Sequence, residues 1–287
     1  MNPPCFLSMS AAEYHADPCP TPSLSSSVAH TLVNKSPLHA WLEHPKLGGV
    51  REEASAGQAH GTLIHALVLG TGLDCVEVID AQNYRTKAAQ ESRDAAIEAG
   101  KTPILRRELD DARAVAADIS EELAERGISL TGQSEQVAMW EEQTEAGPIL
   151  CRGMLDHVIL SADSAIILDL KTRRSAHPKA CAAHVLDYGY HVQRAAYVSA
   201  VEKIRPDLAG RVDFLWLFVE ELPVGSPKRV VLTVARPDGL MREIGEAKWK
   251  QACERWAACL ASGNWPAYSE DAVMLEAPAW AAKEIES

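Results

Sequence analysis

Apolar positions along this chain recur with two periods. Leu105, Leu109, Ala112, Val115, Ala116, Ile119 and Leu123 repeat at helical spacing and predict a helix over 104–126, stopped by Gly127. Helices are also expected over about 59–69, 178–186, 191–204 and 237–262. A shorter one starts with Ser36 as N-cap and Pro37 at the first helical position. Short aliphatic runs bounded by turn residues predict strands at 74–80, 134–141, 154–160, 165–170, 213–219 and 229–234. The three from 134 to 170 form an antiparallel meander. The polar stretch 83–100 reads as a loop with a helical portion. Residues 1–27, rich in Pro and Ser and without a period, read as a loosely ordered lead-in. A single domain is expected over 28–268, with an irregular tail over 269–287. The fold class expected is α/β (α+β), a mixed central sheet flanked by helices.

The pattern is sharpest at 151–172, CRGMLDHVILSADSAIILDLKT. A turn centred between Ala162 and Asp163 pairs Asp156 with Asp169 and Met154 with Lys171. Opposed side chains share a face at roughly 5 Å between Cβ atoms. Lys171, two residues beyond Asp169, lies beside it. Two carboxylates facing each other repel, and one ammonium cannot neutralise both. A hard divalent cation such as Mg²⁺ would. The bland alternative is a surface hairpin whose aspartates face water. The flanking Val-Ile-Leu and Ala-Ile-Ile-Leu runs favour a strand buried on both faces.

Gly153-Met154-Leu155-Asp156, followed by a strand ending in Asp169-Leu170-Lys171, resembles the core of the PD-(D/E)XK nuclease superfamily. Upstream, Gly61-Thr62-Leu63-Ile64-His65 is similar to the G-x-x-x-H element of its RecB-like branch. Downstream, Gln193-Arg194-Ala195-Ala196-Tyr197 is similar to the branch's Q-x-x-x-Y element. The phrases YHVQRAAY and GNWPAY most resemble the phage exodeoxyribonuclease VIII (RecE) nuclease domain. The likeness runs from about Leu24 to Tyr268.

That resemblance implies a metal site of Asp156, Asp169, His65 and the Leu170 carbonyl, with Lys171 positioning water or stabilising transition-state charge. On an apolar helix, His65 alone would read as a core residue. His60, on another helical face, should not share the site. In the RecE-like and lambda-exonuclease branches a glutamate placed as Glu135 is can join the metal site; a surface carboxylate is the alternative. Gln193 and Tyr197, at i and i+4, share a helix face, and in the family this pair lies beside the active site. Just beyond Lys171, Arg173 and Arg174 open the most basic stretch of the chain, suited to a phosphate backbone or to a solvated loop.

Composition changes this picture at two points. With 47% hydrophobic and 24% charged residues the chain has the make-up of an ordinary soluble globular protein, and no apolar run is long enough to span a bilayer. No secretory leader is evident, so the expected location is cytoplasmic. The net charge of −12 speaks against nucleic-acid binding, although an acidic exterior can coexist with a basic channel. Seven scattered cysteines without a C-x-x-C favour reduced thiols over an iron–sulfur cluster.

The resemblance implies Mg²⁺-dependent (or Mn²⁺-dependent) 5′→3′ degradation of one strand of linear duplex DNA. The 3′ overhang left behind would serve a RecT-like single-strand annealing partner. A homo-oligomer around DNA ends fits the processive members. Two other readings are a structure-specific or single-strand RecB-like nuclease and a non-catalytic DNA-end-binding phage protein.

Overall fold

The computed structural model describes residues 3–50, 56–71, 76–269 and 271–277. The N-terminal part carries strand β1 (Cys5–Leu7) and helices α1 (Ala11–His15), α2 (Ser26–Asn34), α3 (Pro37–Glu43) and α4 (Ala56–Leu69). Strand β2 (Val76–Ile79), helix α5 (Lys87–Glu98), strand β3 (Thr102–Leu105) and helix α6 (Arg106–Glu125) follow. The remaining elements are β4 (Gln133–Glu142), β5 (Ile149–Leu160), β6 (Ala165–Thr172), α7 (Pro178–Asp187), α8 (Tyr190–Ile204), β7 (Val212–Glu221), β8 (Val230–Ala235) and α9 (Gly239–Ser262). Among the described residues no helix is long and apolar enough to cross a membrane.

Six strands form a mixed sheet in the order β1-β4-β5-β6-β7-β8. All its pairs are antiparallel except β6 with β7, which run parallel and are joined through α7 and α8. Alternating side chains of the central strands face opposite layers. Ile167, Phe214, Trp216 and Phe218 pack with α2, α8 and α9, including Trp249 and Trp256. Leu168, Leu170, Leu215, Leu217 and Val219 pack with α4 and α6, including Leu63, Ile64, Ile119 and Leu123. This two-sided burial explains the near-continuous aliphatic runs of β6 and β7. It also fixes where the polar exceptions point: Asp169, between Leu168 and Leu170, faces the α8 layer.

The expected hairpin register holds over His157↔Leu168, Val158↔Ile167, Ile159↔Ile166 and Leu160↔Ala165. The ladder ends there. Asp156 and Asp169 are not cross-strand partners, because the strands part and the Leu170 N–H turns to donate to Asp156 Oδ2 at 2.9 Å. Direct opposition of Met154 and Lys171 fails for the same reason.

Residues 3–27, expected as a loosely ordered lead-in, carry regular structure instead. β1 pairs with β4 through Cys5↔Met139, and Leu24 bridges to Cys151. Beneath this segment a buried Asp17 lies 3.2 Å from both His44 and Arg152 and accepts from the Ser23 N–H at 2.9 Å. Pro and Ser here cap and turn the chain; Ser25, for example, caps α2. β3 went unforeseen, since its four residues run directly into α6. It pairs parallel with β2. The start of the expected 74–80 strand, with Cys75, lies outside the described residues, as do 51–55 of the loop before α4 and the end of the C-terminal tail. The other six cysteines are free thiols.

Candidate active site

The site forms where β5 and β6 separate. Gly153 and Leu155 of β5 face the α8 layer, and so does Val158. The strand therefore changes face between them, at Asp156. The pairs Ser134↔His157 and Gln136↔Leu155 put Glu135 across from this point, yet Glu135 itself drops out of the ladder with φ +49. A left-handed residue is rare in a strand and marks a local kink. Because of it, one carboxylate reaches chemistry from both layers.

From the α4 side, His65 Nε2 lies 2.7 Å from Asp156 Oδ2. Helix α4 comes this close because Gly61 has no Cβ; one there would sit 2.9 Å from Thr172 Oγ1. Its companion His60 points elsewhere, 2.8 Å from Glu221 Oε1, as its helical position predicts. From the α8 side, Gln193 Nε2 donates to Asp169 Oδ1 at 3.1 Å and to the Tyr197 hydroxyl at 3.3 Å. Lys171 Nζ stands between the carboxylates, 2.7 Å from Asp169 Oδ2 and 3.9 Å from Asp156 Oδ2.

The two aspartates differ in charge state because their neighbours differ. Burial pushes Asp156 up, but His65, Lys171 and the Leu170 N–H outweigh it and hold the group well below the usual carboxylate range. For Asp169 burial wins. With Asp156 adding repulsion, it rises to about 7 despite Lys171. Lys171 and His65 are both raised: burial opposes the charged form, but the facing carboxylates prevail. The site holds one firm anion and one carboxylate poised near neutrality.

The donor set suits a hard divalent cation. Asp169 Oδ2 is buried without a hydrogen bond; its Lys171 contact is a close ion pair outside hydrogen-bond geometry. Among the described residues no three His, Cys, Asp or Glu side chains stand gathered around one point ready for a metal. Here His65 and Lys171 take up the carboxylate oxygens a cation would share. Asp156, Asp169 and His65 are the residues that would hold it; Glu135, half-buried across from Asp156, is the nearest further carboxylate by register.

His65, Asp156, Asp169, Lys171, Gln193 and Tyr197 thus converge, with the Leu170 main chain bonded to Asp156. Arg173 behaves otherwise than a free phosphate hook. It folds back over Tyr188 and Tyr190, 4.8 Å and 5.3 Å from their ring centroids. Arg174 is exposed on the loop beyond β6. The aromatic pair was missed from sequence, although Asp187-Tyr188-Gly189-Tyr190 reads plainly as a helix break.

A family profile described as a PDDEXK-like domain of unknown function (DUF3799) matches residues 51–278. The crystal structure of a "Putative exonuclease" from Eubacterium rectale superposes with TM-score 0.59 at 11% identity, covering 95% of this chain and 96% of that one. At that identity the likeness bears on the fold alone. The crystal structure of SSO0001 gives TM-score 0.28 at 15% identity, covering 65% of this chain and 84% of that one. No curated protein sequence matches the chain.

Proposed function

This chain belongs to the PDDEXK-like domain family, and on that premise we propose that it is a metal-dependent nuclease that hydrolyses DNA phosphodiesters. The observation that carries the reading is the convergence of Asp156, Asp169 and Lys171 where β5 and β6 part, with Gln193 bracing Asp169. A divalent cation, when bound by Asp156, Asp169 and His65, supplies charge neutralisation at the scissile phosphate and acidifies a water molecule. The Leu170 carbonyl and Glu135 are proposed as additional ligands, Glu135 toward a second ion.

The chain's own groups do the rest. Lys171 orients the attacking water and offsets charge that builds on the phosphoryl oxygens, help of the oxyanion-hole kind. Gln193 holds Asp169 in place and is itself bonded to Tyr197, so the carboxylate does not swing between rotamers. Asp169, poised near neutrality, would have to give up its proton to hold a cation.

At the finer level we propose an exonuclease acting on linear duplex ends, 5′→3′, whose 3′ overhangs feed a single-strand annealing partner. Support comes from the RecE-like phrases of the sequence and the exonuclease name of the Eubacterium rectale structure. Linear duplex labelled at either the 5′ or the 3′ end, digested with Mg²⁺ beside a covalently closed circle, tests it. Progressive loss from 5′ ends with the circle intact is expected. Cutting of the circle would replace the exonuclease by an endonuclease. No cutting with Mg²⁺ or Mn²⁺ but retained end binding would leave a non-catalytic DNA-end binder.

A further inference from the structure

The corner between α7 and α8 holds a short aromatic stack that the chemistry above does not use. The rings of Tyr188 and Tyr190 are near-parallel and offset, with centroids 5.9 Å apart and planes 21° from parallel. They differ sharply in exposure: Tyr190 is 8% exposed and Tyr188 56%. Arg173 spans both rings, and its Nη1 donates to the Thr172 carbonyl at 2.8 Å, which pins the guanidinium. On the inner side, Lys171 Nζ sits 5.0 Å from the Tyr190 centroid. His184 meets Tyr188 at 64°, its centroid 5.8 Å away. A continuous path of π and cationic contacts runs from the catalytic lysine through Tyr190 to a solvent-facing ring.

A half-exposed tyrosine held rigid by an arginine and a second ring is a poor use of surface unless something covers it. Its ordering cost is already met, so a planar partner would lose little further freedom on it. Resting on the nuclease reading, we propose that Tyr188, backed by Tyr190 and Arg173, is the stacking platform for a nucleobase of the strand being cut, next to the scissile phosphate. Every base offers a π-face, so such a platform is indifferent to sequence, as a nuclease trimming arbitrary ends requires. It also meets the difficulty of the −12 charge: stacking holds a strand without many phosphate contacts and survives salt that would strip a purely electrostatic complex.

The test compares wild type, Tyr188→Ala, Tyr188→Phe and Tyr188→Leu on a linear duplex and on the same duplex with abasic terminal nucleotides. Equilibrium binding is read by fluorescence anisotropy without metal, and KM and kcat by cleavage with Mg²⁺. On ordinary ends Tyr188→Ala and Tyr188→Leu should weaken binding and raise KM about tenfold, the scale of one lost base stack, with kcat little changed. Tyr188→Phe should match wild type. On abasic ends all four proteins should bind alike. The Leu variant, which keeps apolar bulk, stands in should Tyr188→Ala fail to fold. Equal KM for wild type and the Ala or Leu variant on ordinary ends would overturn the platform and leave the nuclease standing. A wild type that neither binds nor cuts linear DNA would overturn both.

Discussion

Gly153 and Tyr197 compete for one volume: a Cβ at residue 153 would lie 2.7 Å from Cε1 of the Tyr197 ring. The glycine of the G-x-x-D element and the tyrosine of the Q-x-x-x-Y element are thus two sides of one contact. Gly153→Ala should destabilise the protein by ~1–3 kcal/mol, the usual cost of overpacking. In a Tyr197→Ala background that penalty should largely vanish, a coupling visible in a double-mutant cycle by urea unfolding. Additive penalties would show that the two residues do not meet.

The unlike aspartates predict an unusual pH dependence. Native Asp169 keeps its proton up to about 7, whereas an unfolded aspartate loses it near ~3.9. Between those values the native state binds the extra proton, so Asp169's contribution is full below ~4 and disappears as pH rises through about 7. Asp156, depressed, has the opposite sign: its contribution is present above ~4 and disappears in stronger acid. Melting curves of metal-free protein from pH 5 to 8 should therefore fall with pH, and Asp169→Asn should flatten the decline. Mg²⁺ affinity should climb over the same interval, since the cation displaces that proton. A flat wild-type profile would contradict the assignment.

Much of this site can be read from residues alone, and the part that cannot is instructive. The turn after Leu160 sets the register from His157↔Leu168 to Leu160↔Ala165, because local turn chemistry and aliphatic pairing decide it. The parting at Asp156 is invisible there. It depends on His65, 91 positions earlier, and on a Leu170 N–H that leaves its expected role. Arg173 reads as a solvent-facing cation until Tyr188 and Tyr190 are seen beneath it. The N-terminal stretch looks disordered by composition, since its order comes from a buried ion pair and a strand partner far along the chain.

Activity should depend on the three central groups to different degrees. Asp156→Asn keeps an acceptor for the Leu170 N–H but removes the anion, and should abolish cleavage in a protein that still folds but is less stable than wild type above pH ~4. Lys171→Ala should cost about 10²–10³ in kcat, the scale of a lost electrostatic stabiliser. His65→Gln should weaken Mg²⁺ binding more than it lowers kcat at saturating metal. Cleavage rates across a Mg²⁺ titration separate these outcomes; undiminished activity in Asp156→Asn would refute the site.

The Asp17–Arg152 pair predicts that the N-terminal segment belongs to the fold. Both side chains are buried, and Arg152 Nη1 also donates to the Ser23 carbonyl at 2.7 Å. Burial raises Asp17, but His44, Arg152 and Ser23 bring it down to about 2, so its contribution is present above ~4 and lost as pH falls toward 2. Asp17→Ala should cost ~3–5 kcal/mol by leaving a buried guanidinium uncompensated. Urea unfolding measures it; a loss below ~1 kcal/mol would place the segment outside the cooperative unit.

The parting of β5 and β6 also fixes the order in which the parts of the site are made as the chain leaves the ribosome. Asp156 has His65 waiting for it as it leaves the ribosome, but Asp169 must wait another 24 positions for Gln193. The sheet, meanwhile, lacks β7 and β8 along the edge of β6. Until α8 is made, Lys171 alone stands between the two carboxylates, and Gln193 is not yet there to hold the second in position. A nascent fragment ending near Thr172 carries the D-x-K residues but lacks Gln193, Tyr197 and the β7 edge that surround them in the finished fold.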